Sequence, residues 1–591
     1  MKKFWIVFVI IAVVVGGGLG LLWKAASSLE STSVEGSVLR WEANGAYAEA
    51  PPESFLDQLQ LGEGPTFSEL VFGLRRAAED PGIETLLLDL RGLQVNWAQL
   101  EELHEAVAEF RATGKTLWAY IESGGGADYA VACAADRVAL APEGNLMVLG
   151  VATELAFLRD TLGKVGLAAD FVHVGKYKSA PEQLTRSEPS AANREMVEAL
   201  VEGRYELLVD LMARGRGVSP QRVREWIDVG MYDGETALAA GLVDTLLDAE
   251  DLVASLTPGA EPASLASYAG RSRGGGARHE IAFVVAAGTI YPGESRRDNF
   301  QGPIMGSDTV VEQLQSARED EDIEAVLLRV DSPGGSALAS DLIWREVARV
   351  REVKPVVVSM AGYAASGGYY ISCGADSIFA GTGTLTGSIG VFAGKMNWSG
   401  LYEKIELNRE FITRGENALL WHDAGDFTPA QRALLQDQLD RFYERFLSKV
   451  AAGRGMTRDA VHQVAQGRVW TGEQALAVGL VDGIGGIDRA LVALRSLVGA
   501  APDEKLLVRT YRKPLSWLER TMLDALRSRA ELGVLLAPSH PAASLPAPLA
   551  ELTLALARVG LLDVAPLLDG RPLALLPWRE LERPEPPFAG S

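Results

Sequence analysis

Cysteine is nearly absent: Cys133 and Cys373 are the only two in 591 residues. A pair this sparse excludes a disulfide framework and leaves the redox compartment unread. Histidine is scarce as well. His104, His173, His279, His422, His462 and His540 show no metal-ligand spacing, and none lies beside a glycine-rich turn. Neither a metal centre nor a Ser–His–Asp triad is therefore expected. Basic residues are outnumbered, 56 Lys and Arg against 78 Asp and Glu. A net charge of −22 argues against nucleic acid as a partner, because phosphate binding needs clustered positive charge. No dinucleotide fingerprint, no P-loop and no Gly-x-Ser-x-Gly elbow is present, and no cofactor is expected.

A long uncharged apolar run occurs at residues 4–23, after Met1-Lys2-Lys3. Its length suits a helix across about 30 Å of hydrocarbon. Ala25-Ala26-Ser27 is a poor cleavage site, so residues 1–28 are expected to form an uncleaved anchor. Lys2 and Lys3 should stay cytoplasmic, which places the rest of the chain on the far side.

What the chain does have is a repeat. Ile83-Glu84-Thr85-Leu86-Leu87-Leu88-Asp89-Leu90 matches Ile323-Glu324-Ala325-Val326-Leu327-Leu328-Arg329-Val330, an offset of 240. The same offset aligns Tyr129, Cys133 and Asp136 with Tyr369, Cys373 and Asp376, and Phe171 and Gly175 with Phe411 and Gly415. Farther on the offset is 238: Gly241-Leu242-Val243-Asp244 matches Gly479-Leu480-Val481-Asp482. Short apolar strands alternate with helical segments in both copies, which predicts two α/β domains with mainly parallel sheets. The expected boundaries are 29–257 and 279–500, with a Gly/Ser/Pro-rich linker at 258–278 and a tail at 501–591 that carries no readable chemistry.

Each copy serves as a control for the other. In the second, a strand-like run from Pro355 leads into Ala364-Ala365-Ser366-Gly367-Gly368, and the first has Gly126-Ala127 opposite Ser366-Gly367. A serine on a tight strand-to-helix turn is exposed to substrate, and the N–H of Gly367 at the helix start faces an anion. Asp331-Ser332-Pro333-Gly334-Gly335 likewise offers a backbone N–H at Gly335, where the first copy has Arg91 to Val95. Ser388 is polar only in the second copy and faces Val148. Lysine reverses the pattern: Lys178 in the first copy faces Ala418 in the second. This complementary loss points to one composite site, with Ser366 as nucleophile, Lys178 as base and Ser388 holding the amine. The pair is chemically sufficient if burial lowers the lysine pKa. Lys176, two residues away, should lie on the opposite face of a strand. Cys133 and Cys373, at equivalent positions, should be small buried residues.

The segments Asp331 to Ser336, Ala364 to Tyr369, Leu385 to Val391 and Tyr177 to Ala180 together resemble the long, duplicated form of the signal peptide peptidase A family. The resemblance spans about residues 1–500. It implies a serine peptidase with a Ser–Lys dyad, two tandem ClpP/crotonase-like domains and an N-terminal transmembrane helix. It further implies Ser366 as nucleophile, Lys178 as general base, Ser388 as orienting group, and the N–H groups of Gly335 and Gly367 as oxyanion donors. The family location is the bacterial inner membrane, catalytic domains outward. The implied assembly is a homotetramer, and the implied substrates are signal-peptide remnants and other apolar peptides. Two alternatives stay open on the residues alone: an acyl-CoA enzyme of the crotonase kind, and a non-catalytic membrane scaffold.

Overall fold

A computed structural model describes residues 37–50, 64–270, 279–298, 302–501 and 504–511, and the two-residue strand Leu573–Ala574. The apolar run at 4–23 and the rest of the tail beyond residue 511 lie outside the described residues. Among the described residues no helix is long and apolar enough to cross a membrane.

The first copy builds strands β1 (Val38–Ala46), β2 (Thr85–Gln94), β3 (Thr116–Ile121) and β4 (Arg137–Leu140), joined by helices α1 (Phe67–Glu79), α2 (Trp97–Ala112) and α3 (Gly126–Ala132). The strands pair in parallel in the order β4-β3-β2-β1, with Thr245–Leu246 outside β4 and Ala263–Ser264 outside β1. A strand β5 (Ala168–Val174) leaves this sheet, and a 26-residue helix α4 (Ala191–Arg216) follows.

The second copy repeats the plan with β6 (His279–Ala287), β7 (Ile323–Ser332), β8 (Gly335–Ser336), β9 (Val356–Ala365), β10 (Ser377–Ala380), β11 (Leu385–Gly387), β12 (Val391–Asn397) and β13 (Val469–Thr471). Its helices include α5 (Ala337–Arg351), α6 (Gly367–Ser372) and α7 (Pro429–Arg454). Strands β6, β7 and β9 run side by side in parallel, with β10 and β11 beyond β9. Along β7, Val326, Leu328 and Val330 enter one core and Ala325 and Leu327 the other. That period-two alternation, apolar on both faces, is what a parallel sheet covered by helices on each side requires.

The repeat extends to single contacts. Tyr129 Oη donates to the Leu242 carbonyl at 2.8 Å, and Tyr369 Oη to that of Leu480 at 2.8 Å. Lys115 caps the carbonyls of Ala77 and Asp80 as Lys354 caps those of Ala317 and Asp320. Cys133 and Cys373 are buried free thiols at the ends of α3 and α6, and burial pushes both up to about 12.

Two stretches differ from the boundaries expected of the sequence. Residues 263–269, within the expected linker, form a strand on β1 and a helix, Leu265–Ala269, against α1. The small and polar composition there conceals two anchors, Leu265 and Tyr268, both buried. Gly73 allows the approach: a Cβ there would sit 2.6 Å from that of Ala269. Beyond residue 500, Leu506–Thr510 adds to β6 as an edge strand.

The halves are joined in two ways. Strand β5 of the first pairs antiparallel with β12 of the second, Val174 opposite Val391 through Ala168 opposite Asn397. Below it, Arg329 on β7 is fully buried against two carboxylates of the first half, Glu49 at 3.0 Å and Glu102 at 2.6 Å.

Candidate active site

Strand β9 ends at Ala365, and α6 begins at Gly367; Ser366 is the single residue between them. Its backbone is left-handed, φ 56° and ψ −109°, a conformation that costs a non-glycine residue roughly 1–3 kcal/mol. The turn is pinned where Ser366 N–H donates to the Gly387 carbonyl at 2.8 Å. Ser388, the next residue on that neighbouring strand, is left-handed too, φ 51°, and its N–H donates to the Arg468 carbonyl at 2.7 Å. Two strained serines thus converge on one point.

Lys178 arrives at that point from the first half. It lies in the turn directly after β5, not on a strand, and Lys176 is exposed in the same turn with its ammonium over the Tyr177 ring. The opposite-face expectation for Lys176 is therefore replaced by turn geometry: Gly175, φ 111°, ends the strand before either lysine. Lys178 is 1% exposed, and Ser366 and Ser388 are fully buried. Its Nζ stands 2.8 Å from Ser366 Oγ, 2.9 Å from Ser388 Oγ and 3.1 Å from the Ser388 carbonyl oxygen. Burial holds the amine well below the ordinary lysine range. Desolvation penalises the ammonium, and no carboxylate contact among the described residues offsets it.

A neutral amine has two N–H donors and one lone pair. Two donors to the Ser388 oxygens leave the lone pair for the Ser366 hydroxyl, and the three contacts account for all three.

The glycine turns lie against the same serine. Gly334 and Gly335 have φ of 105° and 155°, and β8 pairs with Ile290. A Cβ at Gly367 would come 3.1 Å from Gly334 Cα and 2.6 Å from Ser340 Oγ. The Gly334–Gly335 turn and the start of α6 are therefore in van der Waals contact, which no side chain at Gly367 would permit.

Sequence reasoning overlooked the segment that seats the lysine. Gln466, Gly467 and Arg468 run between the lysine turn and the Ser388 turn. Tyr177 N–H donates to the Gln466 carbonyl at 2.8 Å, and Gly467 N–H to that of Ile389 at 2.8 Å. Gly467 has φ 77°, and a Cβ there would fall 2.6 Å from both N and Cβ of Lys178. Gly467→Ala is expected to push the Lys178 backbone away and cut kcat by about 10²-fold, a typical penalty for a shift near 1 Å, with KM little changed. Steady-state kinetics checks this. The only signal in the sequence was a Gln-Gly pair before an apolar strand, which reads as an ordinary turn.

Of the five residues singled out from the sequence, Ser366, Lys178 and Ser388 meet within hydrogen-bond distance, and Gly335 and Gly367 flank them. A sequence profile described as Peptidase family S49 matches residues 109–261 and 348–501, once in each half. The chloroplastic serine protease SPPA of Arabidopsis thaliana is 33% identical over 499 residues, covering 81% of this chain and 72% of that protein. Protease 4 of Haemophilus influenzae is 30% identical over 460 residues, 74% of this chain and 73% of that one. Putative signal peptide peptidase SppA of Enterococcus faecium is 39% identical over 184 residues, 31% of this chain and 54% of the relative. Among solved structures, ClpP1 from Listeria monocytogenes is 17% identical, covers 34% of this chain and 91% of its own, and has a TM-score of 0.22. With both halves matched by one profile and relatives aligned over most of its length, the chain belongs to peptidase family S49 as a duplicated, long-form serine protease of the signal peptide peptidase A kind.

Proposed function

We propose that this protein hydrolyses apolar peptides, cleaved signal-peptide remnants foremost, through a dyad of Ser366 and Lys178 supplied by different halves of the chain. The observation that carries the reading is the buried 2.8 Å contact between Lys178 Nζ and Ser366 Oγ. The neutral amine takes the hydroxyl proton as Oγ attacks the scissile carbonyl. The N–H groups of Gly335 and Gly367 face the developing oxyanion. The resulting ammonium gives its proton to the leaving amine, and the C–N bond breaks. Water then attacks the acyl-serine, with Lys178 again as base, and the peptide acid is released. Ser388 keeps the amine aimed throughout.

The surroundings favour an apolar, extended substrate. Leu338 and Leu342, one helical turn apart just after Gly335-Ser336, are 63% and 38% exposed. The strand Leu573–Ala574 lies antiparallel to both Gly335–Ser336 and Phe392, so an extended backbone fits between β8 and β12 by strand addition. In the same proposal residues 4–23 anchor the enzyme in the bacterial inner membrane, the catalytic halves face outward, and the protein works as a homotetramer.

The test is hydrolysis of a synthetic signal-sequence peptide by the full chain in detergent, beside a charged peptide of equal length and a Ser366→Ala blank. Preferential cleavage of the apolar peptide, absent in the blank, is the expected result. Equal cleavage of both peptides removes the substrate reading, and cleavage by the blank removes Ser366.

A further inference from the structure

The repeat leaves two strand edges without partners. Strand β5 of the first half pairs with β12 of the second. Shifting each by the repeat offset of 240 gives the counterpart pair: 408–414 in the second half and 151–157 in the first. If the halves were related by a local two-fold, these counterparts would pair within the same chain. Neither belongs to any strand, and no backbone hydrogen bond among the described residues ties either segment to another. The halves are therefore joined head to tail, and one half-interface remains open at each end.

The open edges carry the features of the closed one. Val172 in β5 is 4% exposed, whereas its equivalent Ile412 is 88% exposed; Phe411 and Leu407 are exposed beside it. All of 403–418 faces solvent. On the other edge Ala152 and Glu154 are exposed while Val151, Thr153 and Leu155 are half-buried, the alternation of a strand without a neighbour.

A charge pair repeats as well. In the closed interface Arg432, four residues into α7, pairs with Asp170 on β5 and donates to the Phe171 carbonyl at 3.1 Å. The equivalent arginine is Arg194, four residues into α4, and the equivalent acid is Glu410. Both are exposed, and neither has a side-chain partner among the described residues. A second, complementary half-interface is thus present in sequence and unfilled in one chain.

We infer that residues 408–414 of one copy add as an antiparallel strand to 151–157 of a second copy, with Arg194 of that second copy paired to Glu410 of the first. The register follows the closed interface: Ile412 opposite Thr153, as Val172 is opposite Ala393. Because the two surfaces differ, each copy engages two neighbours, and the contact closes as a ring. The inference rests on the proposed self-assembly, to which it gives a surface, and not on the peptidase chemistry.

The experiment is detergent-corrected light scattering of the full chain, as wild type, Arg194→Glu, Glu410→Arg and the double swap. Wild type is expected at several times the 63.3 kDa of one chain, either single swap near 63.3 kDa, and the double swap restored. In parallel, Thr153→Cys and Ile412→Cys proteins are oxidised alone and mixed; a disulfide dimer is expected only in the mixture. A monomeric wild type sinks self-assembly itself. An oligomer indifferent to both single swaps, or cross-linking of either cysteine variant alone, leaves assembly standing and overturns this edge as its surface.

Discussion

Lys178→Ala is expected to lower kcat by at least about 10²–10⁴-fold, the usual contribution of a positioned general base, with KM nearly unchanged. The substitution leaves Ser366 Oγ without its only basic neighbour while removing nothing from the glycine turns that would bind the carbonyl. Lys178→Arg is expected to fail as completely, because a guanidinium stays protonated where a buried amine does not. Ser366→Ala and the double variant should be no worse than the single variants, since two groups that act in one proton transfer cannot be lost twice. The pH profile supplies the independent mark. Only the neutral amine accepts the proton, so wild-type kcat/KM should fall as pH drops through the lowered Lys178 pKa. The alanine variant's residual activity should lack that limb. Full-rate cleavage by Lys178→Ala would place the base elsewhere.

Arg329→Met should be the most destabilising single change in the interior. Its five N–H donors are all used: Nε and Nη2 on Glu49, Nη1 and Nη2 on Glu102, and Nη1 on Ser359 Oγ. Removing it strands two buried carboxylates, at a cost of about 3–5 kcal/mol. Burial already pushes Glu102 up, and Arg329 is the main force opposing that shift. Without the guanidinium the folded-state pKa of these acids rises further above the unfolded value. The folded protein then binds more protons than the unfolded one, so the variant gains stability as pH falls and loses it as pH rises. Adding Glu49→Gln and Glu102→Gln should recover much of the loss and flatten that dependence. Urea midpoints at mildly acid and mildly alkaline pH measure both effects; a midpoint unchanged from wild type would mean that the cluster contributes nothing net.

The contrast between the two halves made much of the site legible. Gly126 against Ser366, Val148 against Ser388 and Ala418 against Lys178 are differences of side-chain identity, which a sequence records directly. The strand–turn–helix around Ser366 was equally readable, since Val356 to Ala365 is apolar and glycines follow. Gly467 was not, because its importance lies in what a Cβ would strike, an atom of Lys178 almost 300 positions away. Arg329 stood in plain view opposite Asp89, a reversal of charge within a matched apolar strand. Its meaning depends on Glu49 and Glu102, which the repeat does not align with it. The linker was misjudged around Leu265 and Tyr268 because burial of two side chains outweighed small-residue composition.

The nucleophile and its base stand 188 residues apart in the chain, on separately folding halves. The half with the lysine leaves the ribosome first and contains no serine for it to activate. The half with the serine folds later around an inert hydroxyl. Proteolytic competence thus appears only at the final docking of β5 onto β12, when the lysine turn is carried to Ser366. Unfinished or misdocked chains are harmless to their neighbours without any removable pro-segment, and the act that completes folding is the act that switches the enzyme on.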